Sequence, residues 1–185
     1  MAQTPSNMIA LGTKAPNFNL PDTNGNGFKT WEDCKGSKGT LVIFMCNHCP
    51  FVLHIIEELI RIANDYRVQG LGMVAISSND VEKYPQDGPD KMTEFAFAHG
   101  MEFPYLYDER QEVAKAYGAA CTPDFFLYDS QDQLVYRGQL DDSRPGNYIP
   151  LSGSDLRNAI DGVLYNRVLP ENQKPSIGCN IKWKG

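Results

Sequence analysis

Leu41-Val42-Ile43-Phe44-Met45-Cys46-Asn47-His48-Cys49-Pro50 is the stretch whose reading decides the fold. Residues 40–45 are a short apolar run with β-branched members, as a buried central strand would be. Over residues 50–67, Val52, Ile55, Ile56, Leu59, Ala63 and Tyr66 recur at helical spacing. His54, Glu57, Glu58, Arg61 and Asp65 fall on the opposite side. Two cysteines therefore stand between a strand end and a helix start. Unsatisfied backbone N–H groups and the positive end of the helix dipole both favour a thiolate there. Thiolate is the nucleophile of disulfide exchange, so the placement points to redox chemistry. Pro50 disfavours α geometry at Cys49 and removes one N–H. The regular helix starts either at Pro50 or at Asn47 with a local distortion.

Outward from this stretch, residues 71–76 read as a second buried strand. Strand, helix and strand in close succession imply a parallel pair with a right-handed crossover. Upstream, residues 11–20 are extended, and the Asn- and Gly-rich residues 21–27 suggest a hairpin returning through 28–31. Downstream, a helix fits 89–99 and is closed by Gly100. A strand follows at 103–107, then a helix over 108–117, with Asp108 and Gln111 spaced as a capping box. Residues 125–128 and 133–136 read as a hairpin, and 154–167 as a last helix with Leu156, Ile160, Val163 and Leu164 inward. The polar residues 170–185 read as a surface tail. The expected class is α/β: one domain over 1–185, a mixed central sheet flanked by helices, an N-terminal hairpin extension and a C-terminal tail.

At 185 residues, with 42% hydrophobic and 22% charged residues, the composition is that of a soluble globular chain. A net charge of −6 argues against nucleic acid, whose phosphates reward basic patches. No apolar stretch approaches the roughly 20 residues of a membrane span. The first eleven residues lack a basic region followed by an apolar run, which argues against a signal peptide and for the cytoplasm. Five cysteines, an odd number, do not suit a purely structural disulfide framework.

The element order, with a dithiol at the first long helix and Thr122-Pro123 opening the hairpin, resembles the thioredoxin-like superfamily. Leu11-Gly12-Thr13-Lys14-Ala15-Pro16-Asn17-Phe18 is similar to the entry of its redoxin (AhpC/TSA-type) branch, which includes peroxiredoxins and membrane-tethered thiol reductases. So is Tyr107-Asp108 to Tyr117-Gly118, followed by Phe125-Phe126-Leu127-Tyr128-Asp129. Cys46-Asn47-His48-Cys49-Pro50, Asp141-Asp142-Ser143-Arg144-Pro145 and Ile177-Gly178-Cys179 together resemble a peroxiredoxin-like group within that branch.

Cys46, nearer the strand end and read as reachable by solvent, is the expected attacking thiolate. Cys49 would close the intramolecular disulfide. His48 either lowers the Cys46 pKa or simply tolerates the first turn. A His in that slot also occurs in the oxidising DsbA family, which suggests a potential less reducing than thioredoxin's. His54 is expected to be solvated and His99 to meet a helix dipole. The resemblance implies that Thr122-Pro123 is a cis pair facing the dithiol, with the Thr122 backbone pairing an incoming peptide by strand addition. Cys121 is either a third redox cysteine or a small buried residue. Cys179 is either a resolving thiol or a tail anchor, and Cys34 is read as incidental. Arg144 either orients an anion or pairs with neighbouring carboxylates. Ser78, Asn79 and Asp80, at a strand's C-terminal end, are candidate rim residues.

Two features depart from the relatives. Thioredoxins carry a buried Asp in the strand before the dithiol, and residues 41–44 contain no acid. Peroxiredoxins place a Thr or Ser three residues before the reactive Cys, where this chain has Ile43. The expected function is thiol–disulfide exchange through Cys46 and Cys49, with protein or small-molecule disulfides and a separate reductant or oxidant as partners. The alternatives are a thiol peroxidase with Cys46 as the peroxidatic residue and a metal-binding module using Cys46, Cys49 and one His. The exchange reading involves no organic cofactor, metal, nucleic acid or membrane.

Overall fold

The computed structural model describes residues 3–185. In chain order the elements are β1 (Gln3–Pro5), β2 (Asn19–Pro21), β3 (Phe28–Thr30), α1 (Trp31–Cys34), β4 (Gly39–Phe44), α2 (Pro50–Arg67) and β5 (Leu71–Ser77). A single 3-10 turn, Pro85–Asp87, precedes α3 (Pro89–His99). Then come β6 (Tyr105–Tyr107), α4 (Glu112–Tyr117), β7 (Cys121–Thr122), β8 (Asp124–Asp129), β9 (Leu134–Tyr136), α5 (Ser154–Leu164) and β10 (Ile177–Asn180).

The central sheet runs in the order β6-β5-β4-β8-β9. β4 pairs parallel with β5 and antiparallel with β8, so the sheet is mixed, as expected. Both faces of β4 are buried, so its alternating side chains from Leu41 to Phe44 are apolar on either side. Leu41 and Ile43 pack with the inner faces of α2, α3 and α5, while Val42 and Phe44 pack with Trp31, Tyr117 and Phe126 on the other side. The hairpin of β2 and β3 is present, pairing Asn19 with Thr30.

Long periodic segments match their reading closely. α3 spans the expected residues and ends on Gly100, whose φ of 66° supplies the left-handed C-cap. Of the two starts open to α2, the structure takes Pro50, with Cys49 as N-cap at φ −70° and ψ 123°. Short or polar segments differ more. Glu58, placed by spacing on the wet face of α2, is buried because Arg157 of α5 donates to it at 2.6 Å and Arg61 at 3.0 Å. The helix expected from Asp108 starts only at Glu112. Asp108 still accepts from the Ala114 amide at 2.9 Å, but Gln111 does not reach back to it. Its side-chain amide donates instead to Ser78 O and Lys182 O.

That last contact belongs to the largest correction. Residues 170–185 are not simply a surface tail: β10 lies between β1 and β7 in a second sheet, and Ser176, Cys179 and Ile181 are buried. Beyond β10 the chain is tied to the central sheet, with Lys182 N donating to Asn79 Oδ1 at 2.9 Å and Asp80 N donating to Lys182 O at 2.8 Å. Ser78, Asn79 and Asp80 are accordingly buried supports of this segment rather than rim residues.

Candidate active site

Cys46 follows the end of β4, where Met45 N still donates to Ile76 O at 3.0 Å and extends the sheet by one bond. Cys49 caps α2 through its carbonyl, which accepts from Leu53 N at 3.0 Å. The two-residue connection between them is pinned from outside. Asn47 N donates to Asp87 Oδ1 at 2.9 Å, Asn47 Nδ2 to Gln86 O at 3.0 Å, and Tyr105 Oη to Asn47 Oδ1 at 2.8 Å. Asp87 is fully buried and serves three donors, since its Oδ2 also meets His48 Nδ1 at 2.6 Å and Asn79 Nδ2 at 2.9 Å. The His48 ring stacks on Tyr84 at 5.7 Å between centroids. Asp87 was missed by sequence reasoning: it lies 40 residues from Asn47 in a Pro- and Gly-rich turn with no pattern of its own.

The same Nδ1 that meets Asp87 lies 4.0 Å from Cys46 Sγ. A ring nitrogen whose proton is given to a carboxylate cannot also take a proton from sulfur, so His48 holds the loop and does not act as a base through that atom. The same geometry bears on metal binding. Donor atoms of Cys46, His48 and Asp87 lie within 4.8 Å of one another, a mixed S, N, O set. Its nitrogen, however, already holds a short contact with the carboxylate.

Thr122-Pro123 is cis, as the resemblance implied, and faces both sulfurs. Thr122 Oγ1 is 3.7 Å from Cys46 Sγ, and Thr122 O is 3.3 Å from Cys49 Sγ. The expectation that the Thr122 backbone is open to an incoming peptide is corrected, because β10 pairs there in register, Cys179 opposite Thr122. Gly178 makes this possible: a Cβ there would stand 1.9 Å from Thr122 O. Cys179 Sγ then comes to 2.8 Å from Cys49 Sγ.

The expectation that solvent reaches Cys46 is also corrected. Cys46 is 1% exposed and Cys49 0%. The two thiols of the reduced pair are shifted in opposite directions, Cys49 downward and Cys46 upward. The Cys46 thiol, and after it the Cys179 thiol, the Val52 amide and Thr122, donate toward the Cys49 sulfur and hold it down to about 5, against the effect of burial. Cys46 moves the other way, raised by its bond to Cys49, by burial and by the Asp87 carboxylate. Cys121, beside Asp124, donates to Pro123 O at 3.5 Å, and burial pushes its thiol strongly upward, which makes it a poor nucleophile. Cys34 is likewise raised by burial, to about 12. His54 is not simply solvated: Nε2 lies 2.7 Å from Ser143 Oγ. Arg144 is spent on loop acceptors, Ser143 O at 2.8 Å and Gln139 Oε1 at 2.6 Å, not on a thiolate.

A pH dependence follows from the Cys49 shift. Its folded value of about 5 lies below the ordinary 9.0, so between these limits the unfolded chain holds a proton that the folded chain has released. Stability of the reduced protein therefore rises with pH through that window and is lost as pH falls through about 5. Thiolate absorbance of the reduced protein should show a step near pH 5 that is absent in Cys49→Ser. A first step near the ordinary 9.0 would contradict this charge distribution.

The chain is similar to several known proteins. The family model described as the AhpC/TSA family matches residues 11–137. The crystal structure of an uncharacterized conserved protein from Geobacillus kaustophilus aligns with a TM-score of 0.97 at 54% identity, covering 100% of this chain and 97% of that one. A Mycobacterium tuberculosis protein named "Putative peroxiredoxin" is 30% identical over 116 residues, 63% of this chain and 68% of its own length. The thiol-disulfide oxidoreductase ResA of Geobacillus thermodenitrificans is 29% identical over 134 residues, 71% of this chain and 70% of its own. The fold is thioredoxin-like.

Proposed function

Because the chain belongs to the AhpC/TSA family, we infer that its dithiol performs redox chemistry, and that this chemistry is thiol–disulfide exchange through Cys46 and Cys49. The observation that carries the reading is the pair of adjacent sulfurs facing the cis Thr122-Pro123 bond, with the Cys49 thiol shifted downward by its neighbours.

The charge on Cys49 and the attack by Cys46 are compatible. As Cys46 attacks a substrate disulfide, its proton moves along its hydrogen bond to the Cys49 sulfur. The first substrate sulfur leaves as thiolate and takes up that proton, so Cys49 is again a thiolate. Cys49 then attacks Cys46 in the mixed disulfide, the Cys46–Cys49 bond forms, and the second substrate sulfur leaves and is protonated by water. The thiol cluster thus supplies the proton transfer for which β4 offers no acid. In the reverse direction the oxidised pair gives its disulfide away. A thiolate stabilised in the reduced form favours reduction of the protein, which supports a potential above the roughly −270 mV of thioredoxin. The partners are disulfide substrates and a redox partner in general, and a cytoplasmic location remains part of this proposal.

One observation favours the peroxidase alternative: Thr122 Oγ1, 3.7 Å from Cys46 Sγ, brings a hydroxyl to the sulfur although Ile43 occupies the usual hydroxyl position. The two readings separate in one experiment. Fully reduced protein is mixed with insulin disulfides and, in parallel, with hydrogen peroxide, and Cys46 oxidation is followed. Fast loss to insulin with ordinary thiol rates toward peroxide is the expected result. Peroxide rates far above those of an ordinary thiol, with slow insulin reduction, would replace exchange by peroxidase chemistry.

A further inference from the structure

We propose that Cys179 is a third redox cysteine, which receives the disulfide from Cys46–Cys49 by internal exchange and stores it as Cys49–Cys179. The inference rests on the exchange reading above and extends it to a residue outside the dithiol.

Two independent observations place Cys179 there. Its sulfur is 2.8 Å from Cys49 Sγ across 130 residues of chain, and both side chains are buried. The backbone that carries it is built for the approach. β10 is held on one side by β1 and on the other by β7, with Cys179 in register with Gln3 and Thr122, and Gly178 removes the Cβ that would keep the strands apart.

Cys49 is the middle sulfur of the three, hydrogen-bonded to Cys46 on one side and to Cys179 on the other. Attack by Cys179 on Cys49 in the Cys46–Cys49 disulfide forms the Cys49–Cys179 bond and expels Cys46. The proton leaving Cys179 is taken up by the departing Cys46 sulfur. One disulfide is broken and one formed, so no further oxidant or reductant is required. The Cys179 thiol is pushed up to about 12 in the reduced protein by burial and by its contact with the Cys49 thiolate. The second of these causes disappears once Cys49 is in a disulfide, and Lys182 still acts to lower the value. The consequence is a protein that, once oxidised, presents Cys46 again as a thiol while the oxidising equivalent is stored behind it.

The test is disulfide mapping of the full chain. Reduced wild-type protein and Cys179→Ser are each treated with one equivalent of diamide, quenched in acid, alkylated with iodoacetamide under denaturing conditions and digested for mass spectrometry. Wild type should contain both Cys46–Cys49 and Cys49–Cys179 peptides, with Cys46 alkylated in the molecules that carry the second. In Cys179→Ser only Cys46–Cys49 should remain, with Cys46 alkylation reduced by about tenfold or more, as expected when an exchange partner is removed. Cys46–Cys49 alone in both proteins overturns the proposal and leaves the exchange reading standing. A lack of the Cys46–Cys49 disulfide in both proteins overturns the two together. The wild-type map decides even if the variant does not fold.

Discussion

Cys46→Ser should lose insulin reduction by about a thousandfold or more, the scale expected when a nucleophile is removed rather than a supporting group. The substitution keeps the size of the side chain and its neighbours Thr122 and His48, so the fold should survive. Cys49→Ser should fail differently. Cys46 can still attack, but nothing resolves the mixed disulfide from the helix side, so a covalent Cys46–substrate adduct should accumulate while turnover falls. Cys49→Ser also removes the thiolate that takes the Cys46 proton, so adduct formation should itself be slower than the first step in wild type. Adduct mass on Cys46 in Cys49→Ser and none in Cys46→Ser would assign the roles. The opposite pattern, an adduct on Cys49 in Cys46→Ser, would make the buried thiolate the attacking group and reverse the order of steps.

The second large effect is expected far from the dithiol in sequence, at Gly178. A methyl group at this position meets the Thr122 carbonyl at 1.9 Å and its carbon at 2.6 Å, both backbone atoms, so no side chain can swing aside. β10 must move away from β7. Overpacking of this kind costs about 1–3 kcal/mol. For a chain of this size that corresponds to a fall in Tm on the order of 3–10 °C. More telling is the site. Moving β10 withdraws Cys179 from Cys49, removing one of the donors that hold the Cys49 thiolate down, so the thiolate step in the absorbance titration should move to higher pH. Gly100→Ala is the control. It strains a left-handed helix cap with open space around it and should lower Tm without moving the titration. Equal titration curves for Gly178→Ala and wild type would show that β10 does not tune the dithiol.

How much of this was legible beforehand depends on the distance over which each feature is encoded. The strand, the dithiol and the amphipathic helix of residues 40–67 are written in local alternation and helical spacing, and the structure reproduces them. The cis Thr122-Pro123 pair facing the sulfurs was implied by resemblance and by nothing local. Asp87 carried no signal, because a carboxylate in a Pro-rich turn reads as solvated until Asn47, His48 and Asn79 are seen to converge on it. Glu58 was misplaced for a related reason: spacing puts it on the outer face of α2, and only the packing of α5 brings Arg157 over it.

The sequence by itself determined the α/β class, the strand–dithiol–helix unit and the kind of chemistry, because periodicity and a CxxC motif at a helix start act within one or two turns of chain. Tertiary structure alone decided that the two thiols shift in opposite directions, what occupies the edge beside Thr122, and where the C-terminal segment lies. β10 is four residues long, too short to show a pattern. Its place is set by pairing with strands distant in sequence, at Gln3 and Thr122, and by one glycine that lets backbones touch. A thiol 130 residues from Cys49 thereby becomes part of its electrostatics, since burial excludes water and leaves the nearest hydrogen-bond donors to set the charge.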